Sequence, residues 1–391
     1  MRVSRTAGAM PHSGIREIVN RVIELPGGRI SRLEIGEPGF PTPAHITRAA
    51  WDAVPRGVGY TPSTGTGELR EALAARLRRV TGLDLPASRV VVTQGAVQAL
   101  SALAEALLDP GDDLLVPDPS WPNYEMIGRM RGASVTRYPL RASAGFLPDP
   151  DEVEALITPR TRALVLNSPS NPTGRVFPQE VVAAIVTAAR RHGVWVLSDE
   201  VYDELVFEGA PANAVALDPE TVIGVYSFSK TYAMTGWRVG YLTAPARVTA
   251  LLSTVQEALL SSVSAIGQYA AHAALTGPQE CVARMREEYR ARRDLAVRRL
   301  TGAGLRIAVP HGAFYAMVPL APGADSRLAA LDLVGHGVAV APGSAFGDTA
   351  RDHVRISLSV AEDVLETGLD RLLSWGALTG FGAGLGRAAG A

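Results

Sequence analysis

Lys230 is the single lysine of a 391-residue chain in which every other one of the 38 Lys+Arg residues is arginine. Arginine can replace lysine in most solvated roles. It cannot replace it as a nucleophile, because its guanidinium stays protonated while an amine can be deprotonated. A lone lysine among so many arginines marks a position where amine chemistry is required, unless arginine usage is a habit of the genome and Lys230 a leftover. It stands in SFSKTYAMTGWR, residues 227–238, with Ser227 and Ser229 at its N-terminal side and Arg238 closing the stretch. Hydroxyls and a guanidinium around an amine suit a phosphate-bearing carbonyl compound held as a Schiff base.

Five other clusters carry chemistry of a compatible kind. TQGAVQAL (93–100) places Gly95 and Ala96 between a strand pattern and a helix pattern. Free backbone N–H groups at a helix start suit a phosphate, and an ordinary strand–helix turn reads the same way. PDPSWPNYE (117–125) puts Trp121 just beyond a strand, where an indole can stack on a flat ring or fill a core. NSPSNPTG (167–174) is a turn-rich loop whose Asn171 has an amide to offer. VLSDEVYDEL (196–205) ends a strand in Asp199, with Tyr202 three residues on. A carboxylate there needs a partner, such as a protonated ring nitrogen or the N–H groups of a helix start. VRISLS (354–359) carries Arg355 inside a strand pattern, suited to bidentate capture of a carboxylate or to an internal ion pair.

The elements that must position these groups follow an alternation. RVVVT (89–93), DLLVP (113–117), SVTRYPL (134–140), RALVLN (162–167), VWVLSDE (194–200), TVIGVYSFS (221–229) and RVGYLTA (238–244) read as strands, mostly separated by amphipathic helices. Continuous apolar strands alternating with helices predict an α/β unit whose mostly parallel sheet is covered on both faces. In such sheets ligands bind beyond the carboxyl ends of the strands, which is where the clusters lie. Helices are expected at 12–25, 44–53 and 67–80, and SRLEI (31–35) as a short strand before the loop GEPGFPTP. Residues 246–300 read as long helix. Its arginine-rich second half is interleaved with Glu287, Glu288 and Asp294, so a solvated helix is expected rather than a nucleic-acid face. Shorter strands at RIAV (306–309), AFYAMV, VAVAP and VRISLS, closed by a helix at 361–374, predict a second, α+β domain completed by the N-terminal segment. The Gly/Ala-rich end is expected to be a mobile tail.

Composition excludes several classes. A net charge of −1 gives no general attraction for nucleic acid or an anionic membrane. One cysteine, Cys281, excludes an internal disulfide framework and fits a reducing compartment, so a cytoplasmic protein is expected. The first residues have no apolar core and no run is long enough to span a bilayer. The seven histidines are scattered, so no metal site is expected.

In this order, SNPTG, SDEVY, SFSK and then GWR resemble the class I/II pyridoxal-5′-phosphate (PLP) aminotransferases, from about residue 15 to residue 372. The resemblance implies the type I PLP-dependent transferase fold: a large domain (45–280) with a seven-stranded-type sheet, a small domain (281–375) joined by residues 1–44, and a tail (376–391). It implies that Lys230 holds PLP, becomes the proton carrier once an amino acid displaces it, and works with Asp199 on the ring nitrogen. Tyr202 and Asn171 would bond the phenolic oxygen, and Trp121 would stack on the ring. Gly95, Ala96, Ser227, Ser229 and Arg238 would hold the phosphate. Arg355 would bind the substrate α-carboxylate, helped by the loop containing Gly36, with Asn171 and Trp121 also on the substrate side. Tyr60 would reach the phosphate of a neighbouring subunit, which implies a homodimer. The implied reaction moves an amino group between an L-amino acid and a 2-oxo acid through pyridoxamine 5′-phosphate. Relatives that run a β-lyase, cyclase or other elimination or replacement share these residues, so that alternative stays open. Gly39, where relatives of this kind often carry an acid, is expected to remove a side chain at the mouth of the site, which leaves specificity open. Phe314 or Tyr315 is expected near the substrate or in the core.

Overall fold

The computed structural model describes residues 2–8, 10, 13–25, 30–376 and 378. The expected tail lies almost wholly outside the described residues. The strands, in chain order, are β1 (Ser31–Arg32), β2 (Val90–Thr93), β3 (Asp113–Asp118), β4 (Ser134–Pro139), β5 (Thr161–Asn167), β6 (Trp195–Asp199), β7 (Val222–Ser227), β8 (Gly240–Thr243), β9 (Tyr315–Pro319), β10 (Val338–Ala339), β11 (Ala341–Pro342) and β12 (His353–Ser357).

Seven of them form one sheet in the order β2-β8-β7-β6-β5-β3-β4. The ladders are parallel except that β8 runs antiparallel to both β7 and β2. The reversal has a local cause. The segment between β7 and β8 folds back through one helical turn, Phe228–Thr231, instead of a full crossover helix. Alternate side chains divide between the two faces, as the pleat requires. Val116, Val165, Leu197 and Val225 pack against the helices Gly95–Leu107, Asn123–Met130 and Ala246–Leu259. Leu115, Leu164, Val196 and Val222 meet the helix Gln179–Arg191, and Val90, Val92 and Tyr241 meet the helices Ala44–Ala53, Gly67–Thr81 and Ala265–Thr276. Each large aliphatic side chain so buried contributes about 1.5–3 kcal/mol, which explains why strands apolar on both faces settle in the middle layer.

The remaining strands make smaller sheets. β11, β12 and β9 are antiparallel in the order β11-β12-β9, and β1 pairs parallel with β10. The segment after β1 ties the two together: Leu33 N–H donates to Ala339 O at 2.9 Å, and Ser357 N–H donates to Leu33 O at 2.7 Å. Ile18, Leu33, Leu300, Leu333, Ile356 and Leu369 share one core. The expected strand at RIAV (306–309) does not form. The Val309 carbonyl accepts from the Arg175 guanidinium at 2.8 Å, so a side chain takes the place of a ladder partner. The expected solvated helix is Glu280–Gly302, and two of its arginines are interior. Arg293 bonds Glu208 at 2.8 Å, and the Arg292 guanidinium lies 5.0 Å from the Phe40 ring centroid. Among the described residues no helix is long and apolar enough to cross a membrane.

Candidate active site

The carboxyl ends of β5, β6 and β7 deliver most of the chemistry. β6 ends in Asp199, and the next residue, Glu200, points the opposite way. Both carboxylates are buried. Asp199 Oδ2 accepts the Tyr124 hydroxyl at 2.5 Å, Oδ1 accepts Val201 N–H at 3.3 Å, and the Asp199 carbonyl accepts the Asn167 amide at 3.0 Å. Burial pushes the Asp199 carboxyl up to about 6, with the Tyr124 bond opposing the shift. The same burial and the facing Asp199 charge push the Tyr124 phenol well above its ordinary range. Glu200 accepts the Ser198 hydroxyl at 2.7 Å and is pushed by burial to about 8.

Lys230 is carried differently from the expectation. The run TVIGVYSFS does not stay extended to Ser229: β7 stops at Ser227, whose hydroxyl accepts Ser229 N–H at 3.1 Å and caps the turn Phe228–Thr231. The turn lifts the amine into the cavity, where Nζ donates to the Gly36 carbonyl at 2.6 Å and lies 5.7 Å from the Phe314 ring centroid. Burial lowers the Lys230 amine to about 8; Arg355 and Arg238 add to this, while Glu37 and Asp199 oppose it. Gly36 is sterically required here. A Cβ on it would lie 1.8 Å from the Tyr315 hydroxyl oxygen.

Beside the lysine is a cradle for an anion. The helix Gly95–Leu107 begins at Gly95 with φ +78°, and Arg238 itself has φ +53°. A Cβ on Gly95 would lie 2.6 Å from Arg238 Nη2, and one on Gly240 would lie 2.9 Å from the Gly95 backbone. Only glycine lets β2, β8 and the guanidinium converge this closely. Arg238 Nη1 donates to the Thr235 carbonyl at 2.7 Å, which holds the group at the helix start. Backbone N–H groups and a guanidinium meeting there favour a phosphate.

Arg355 sits in the middle of β12, buried and sandwiched between rings. Its guanidinium carbon is 4.4 Å from the Tyr315 centroid and 4.8 Å from the Phe346 centroid. Nη1 donates to Asn171 Oδ1 at 3.0 Å, Nη2 donates to the Glu34 carbonyl, and the buried Nε has no hydrogen-bond partner among the described residues. Every oxygen it bonds is neutral, so a buried cation is held ready for an anion from outside. The Asn171 N–H donates to Asn167 Oδ1 at 2.8 Å, fixing the loop from which its amide reaches. Tyr202 and Tyr315 share a hydroxyl–hydroxyl bond of 2.8 Å, and Trp121 meets Tyr124 edge-on with centroids 5.5 Å apart.

These groups line one cavity of about 880 Å³. Gly36, Ala96, Trp121, Asn171, Asp199, Tyr202, Ser227, Ser229, Lys230, Arg238 and Arg355 are all on its wall, and Gly95 lies immediately behind Arg238. Tyr60 is not on the wall; it is 96% exposed. Gly39 is not on the wall either. A Cβ there would lie 2.0 Å from the Ser359 carbonyl oxygen, so its backbone is packed and the wall residue is Glu37, which accepts the Thr235 hydroxyl at 2.7 Å. Tyr315 lines the cavity while Phe314 is interior beside it. Sequence reasoning missed Tyr124, Asn167, Glu37 and Thr235. Tyr124 was discoverable: it lies three residues after Trp121, across the turn that opens the helix Asn123–Met130. The N-terminal segment contributes Ile15, Arg16 and Val19, which carried no sequence signal beyond helical spacing.

Comparison with known proteins agrees with this geometry. The family profile for aminotransferase class I and II matches residues 29–372. The chain is 40% identical over 378 residues to an aspartate/prephenate aminotransferase of Thermus thermophilus, covering 94% of this chain and 97% of the relative. It is 40% identical over 353 residues to an arginine–pyruvate transaminase of Pseudomonas aeruginosa, covering 88% and 90% respectively. Among solved structures, the Thermus thermophilus aspartate aminotransferase with maleate superposes with a TM-score of 0.92 at 40% identity, covering 96% of this chain and all of that one. An alanine aminotransferase of Pyrococcus furiosus gives 0.91 at 32% identity, with 95% and 99% covered.

Proposed function

The chain belongs to the class I and II aminotransferase family and is an aminotransferase, and on that premise we propose that it uses pyridoxal 5′-phosphate to move an amino group between an L-amino acid and a 2-oxo acid in two half-reactions. The observation that carries the reading is the convergence of Lys230 Nζ, Asp199 and Arg355 on one cavity wall. The donor set fits the group. It comprises a primary amine of lowered pKa, a buried carboxylate, a flat indole, and a glycine-and-arginine cradle at a helix start. When bound, PLP supplies an aldehyde that condenses with amines and a ring that accepts electrons from the substrate Cα.

The residues then divide the work. Lys230 would hold the cofactor through its amine and, when free, would take the substrate Cα proton as general base. Asp199 would pair with the ring nitrogen, with Tyr124 holding the carboxylate in place. Tyr202 and Asn171 would bond the phenolic oxygen, Trp121 would stack on the ring, and Ser227, Ser229, Arg238 and the N–H groups at Gly95 and Ala96 would hold the phosphate. Arg355 would take the α-carboxylate, and Gly36 provides the space beside it. The exposed Tyr60 is read as completing the phosphate site of a second copy, in a homodimer of the cytoplasm. Residues 45–280 are read as the large domain, and 1–44 with 281–375 as the small one.

The test is a half-reaction panel. PLP-loaded protein is mixed with single L-amino acids, and the cofactor's absorbance and the products are followed. Conversion to pyridoxamine phosphate with one equivalent of 2-oxo acid is expected. Release of ammonia with the cofactor returned unchanged would falsify transamination.

A further inference from the structure

Asp118 ends β3 and is buried, yet no arginine, lysine or histidine pairs with it among the described residues; the nearby Arg137 guanidinium bonds Glu125 and the Phe346 carbonyl instead. A buried carboxylate without a counter-cation must have its oxygens satisfied by other donors. Its donors all come from one distant loop. Asp348 N–H donates to Oδ2 at 3.2 Å and Thr349 N–H to Oδ1 at 3.2 Å. The Thr349 hydroxyl lies 2.7 Å from Oδ1 and 2.6 Å from the Asp118 carbonyl. The fit is close enough to exclude any side chain on Gly347, whose Cβ would lie 1.9 Å from Oδ1.

Both ends of this latch lead into the cavity. On one side, Ser120 N–H donates to the Phe346 carbonyl at 2.9 Å, and the residue after Ser120 is Trp121, on the cavity wall. On the other side, Phe346 precedes the latched loop, and its ring is one of the two between which the Arg355 guanidinium is held. Arg355 has no carboxylate of its own to orient it, so its plane depends on those rings, on Asn171 and on the Glu34 carbonyl.

We propose that Asp118 is a positioning residue for carboxylate capture: by tying residues 347–349 to the Trp121 loop, it holds the Phe346 ring against Arg355 and so presents the guanidinium to the substrate. This rests on the reading of Arg355 as the α-carboxylate site. The α-carboxylate is common to all amino-acid substrates, so loss of the latch weakens them alike and leaves the proton transfer at Lys230 intact.

The experiment follows half-reactions of PLP-loaded protein with L-alanine, L-aspartate and L-leucine, measuring cofactor content, half-saturating concentration and plateau rate. In Asp118→Ala the half-saturating concentration is expected to rise about tenfold for every substrate that reacts, with the plateau rate within about threefold of the parent and cofactor content unchanged. Asp118→Asn, which keeps the Oδ1 acceptor, should fall between the two. A half-saturating concentration within about twofold of the parent overturns the proposal, and so does a loss confined to plateau rate and cofactor content. If Asp118→Ala does not fold, Thr349→Val removes only the hydroxyl donor and should raise the same concentration by about threefold or more; no rise overturns the proposal. Arg355→Lys in the same assay separates the two readings. If it leaves the half-saturating concentration unchanged, the carboxylate assignment has failed; if it raises it while both latch variants do not, the latch alone has failed.

Discussion

The Tyr124 hydroxyl donates to Asp199 Oδ2 at 2.5 Å, joining the first turn of one helix to the end of a strand 75 residues away. The bond stabilises the ionised carboxylate, while burial favours the neutral one and brings the group to about 6. In Tyr124→Phe the opposing contribution is lost, so Asp199 protonates at higher pH. The acid limb of the kcat/KM–pH profile should move up by about one unit, the equivalent of a modest hydrogen bond to a charge. A profile that overlays that of the parent would show that Tyr124 does not tune the carboxylate.

Lys230, lowered to about 8, should make cofactor loading pH-dependent in a range where ordinary lysines are silent. Only the neutral amine attacks an aldehyde. The rate at which cofactor-free protein takes up PLP should rise with pH and level off with an apparent pKa near that value. Lys230→Arg should show no such uptake band, and its turnover should fall by about 10²–10⁴. Turnover near the parent level in that variant contradicts the role given to the amine.

Arg355→Lys keeps a positive charge but removes the planar fork that reaches Asn171, the Glu34 carbonyl and an anion together. Substrate binding should weaken by roughly 1–3 kcal/mol, seen as a higher KM with kcat less affected. An unchanged KM would place the α-carboxylate elsewhere.

Tyr60 gives a test of the shared site. Tyr60→Ala should loosen PLP, and Lys230→Arg should leave only the residual turnover given above. In mixed dimers of the two variants, one site keeps its own Lys230 and receives the other chain's Tyr60. Mixing under conditions that exchange subunits should therefore restore activity that neither variant has at ordinary PLP concentration. No recovery, with exchange confirmed, would mean that Tyr60 acts within its own chain or not at all.

What the sequence determined by itself was whatever depends on local pattern. The apolar runs at 113–117 and 162–167 could only be inner strands. The lone amine at Lys230 stood out among arginines, Asp199 stood at the end of a strand pattern and Arg355 within one. Tertiary structure decided what depends on approach between distant segments. Gly39 read as a residue of the mouth, but it packs against the Ser359 carbonyl instead. RIAV read as a strand because nothing local says that a guanidinium from Arg175 will take its carbonyl. Arg292 and Arg293 read as solvated because helical spacing does not reveal Phe40 or Glu208 on the buried side. Tyr124 and Asp118 are ordinary residues in sequence, and their roles come from hydrogen bonds that close only when β3, β6 and the 346–349 loop are brought together. Residue type and spacing determine which chemistry is available. The protonation state of each group and the direction it faces are set by burial and by partners that the chain supplies only on folding.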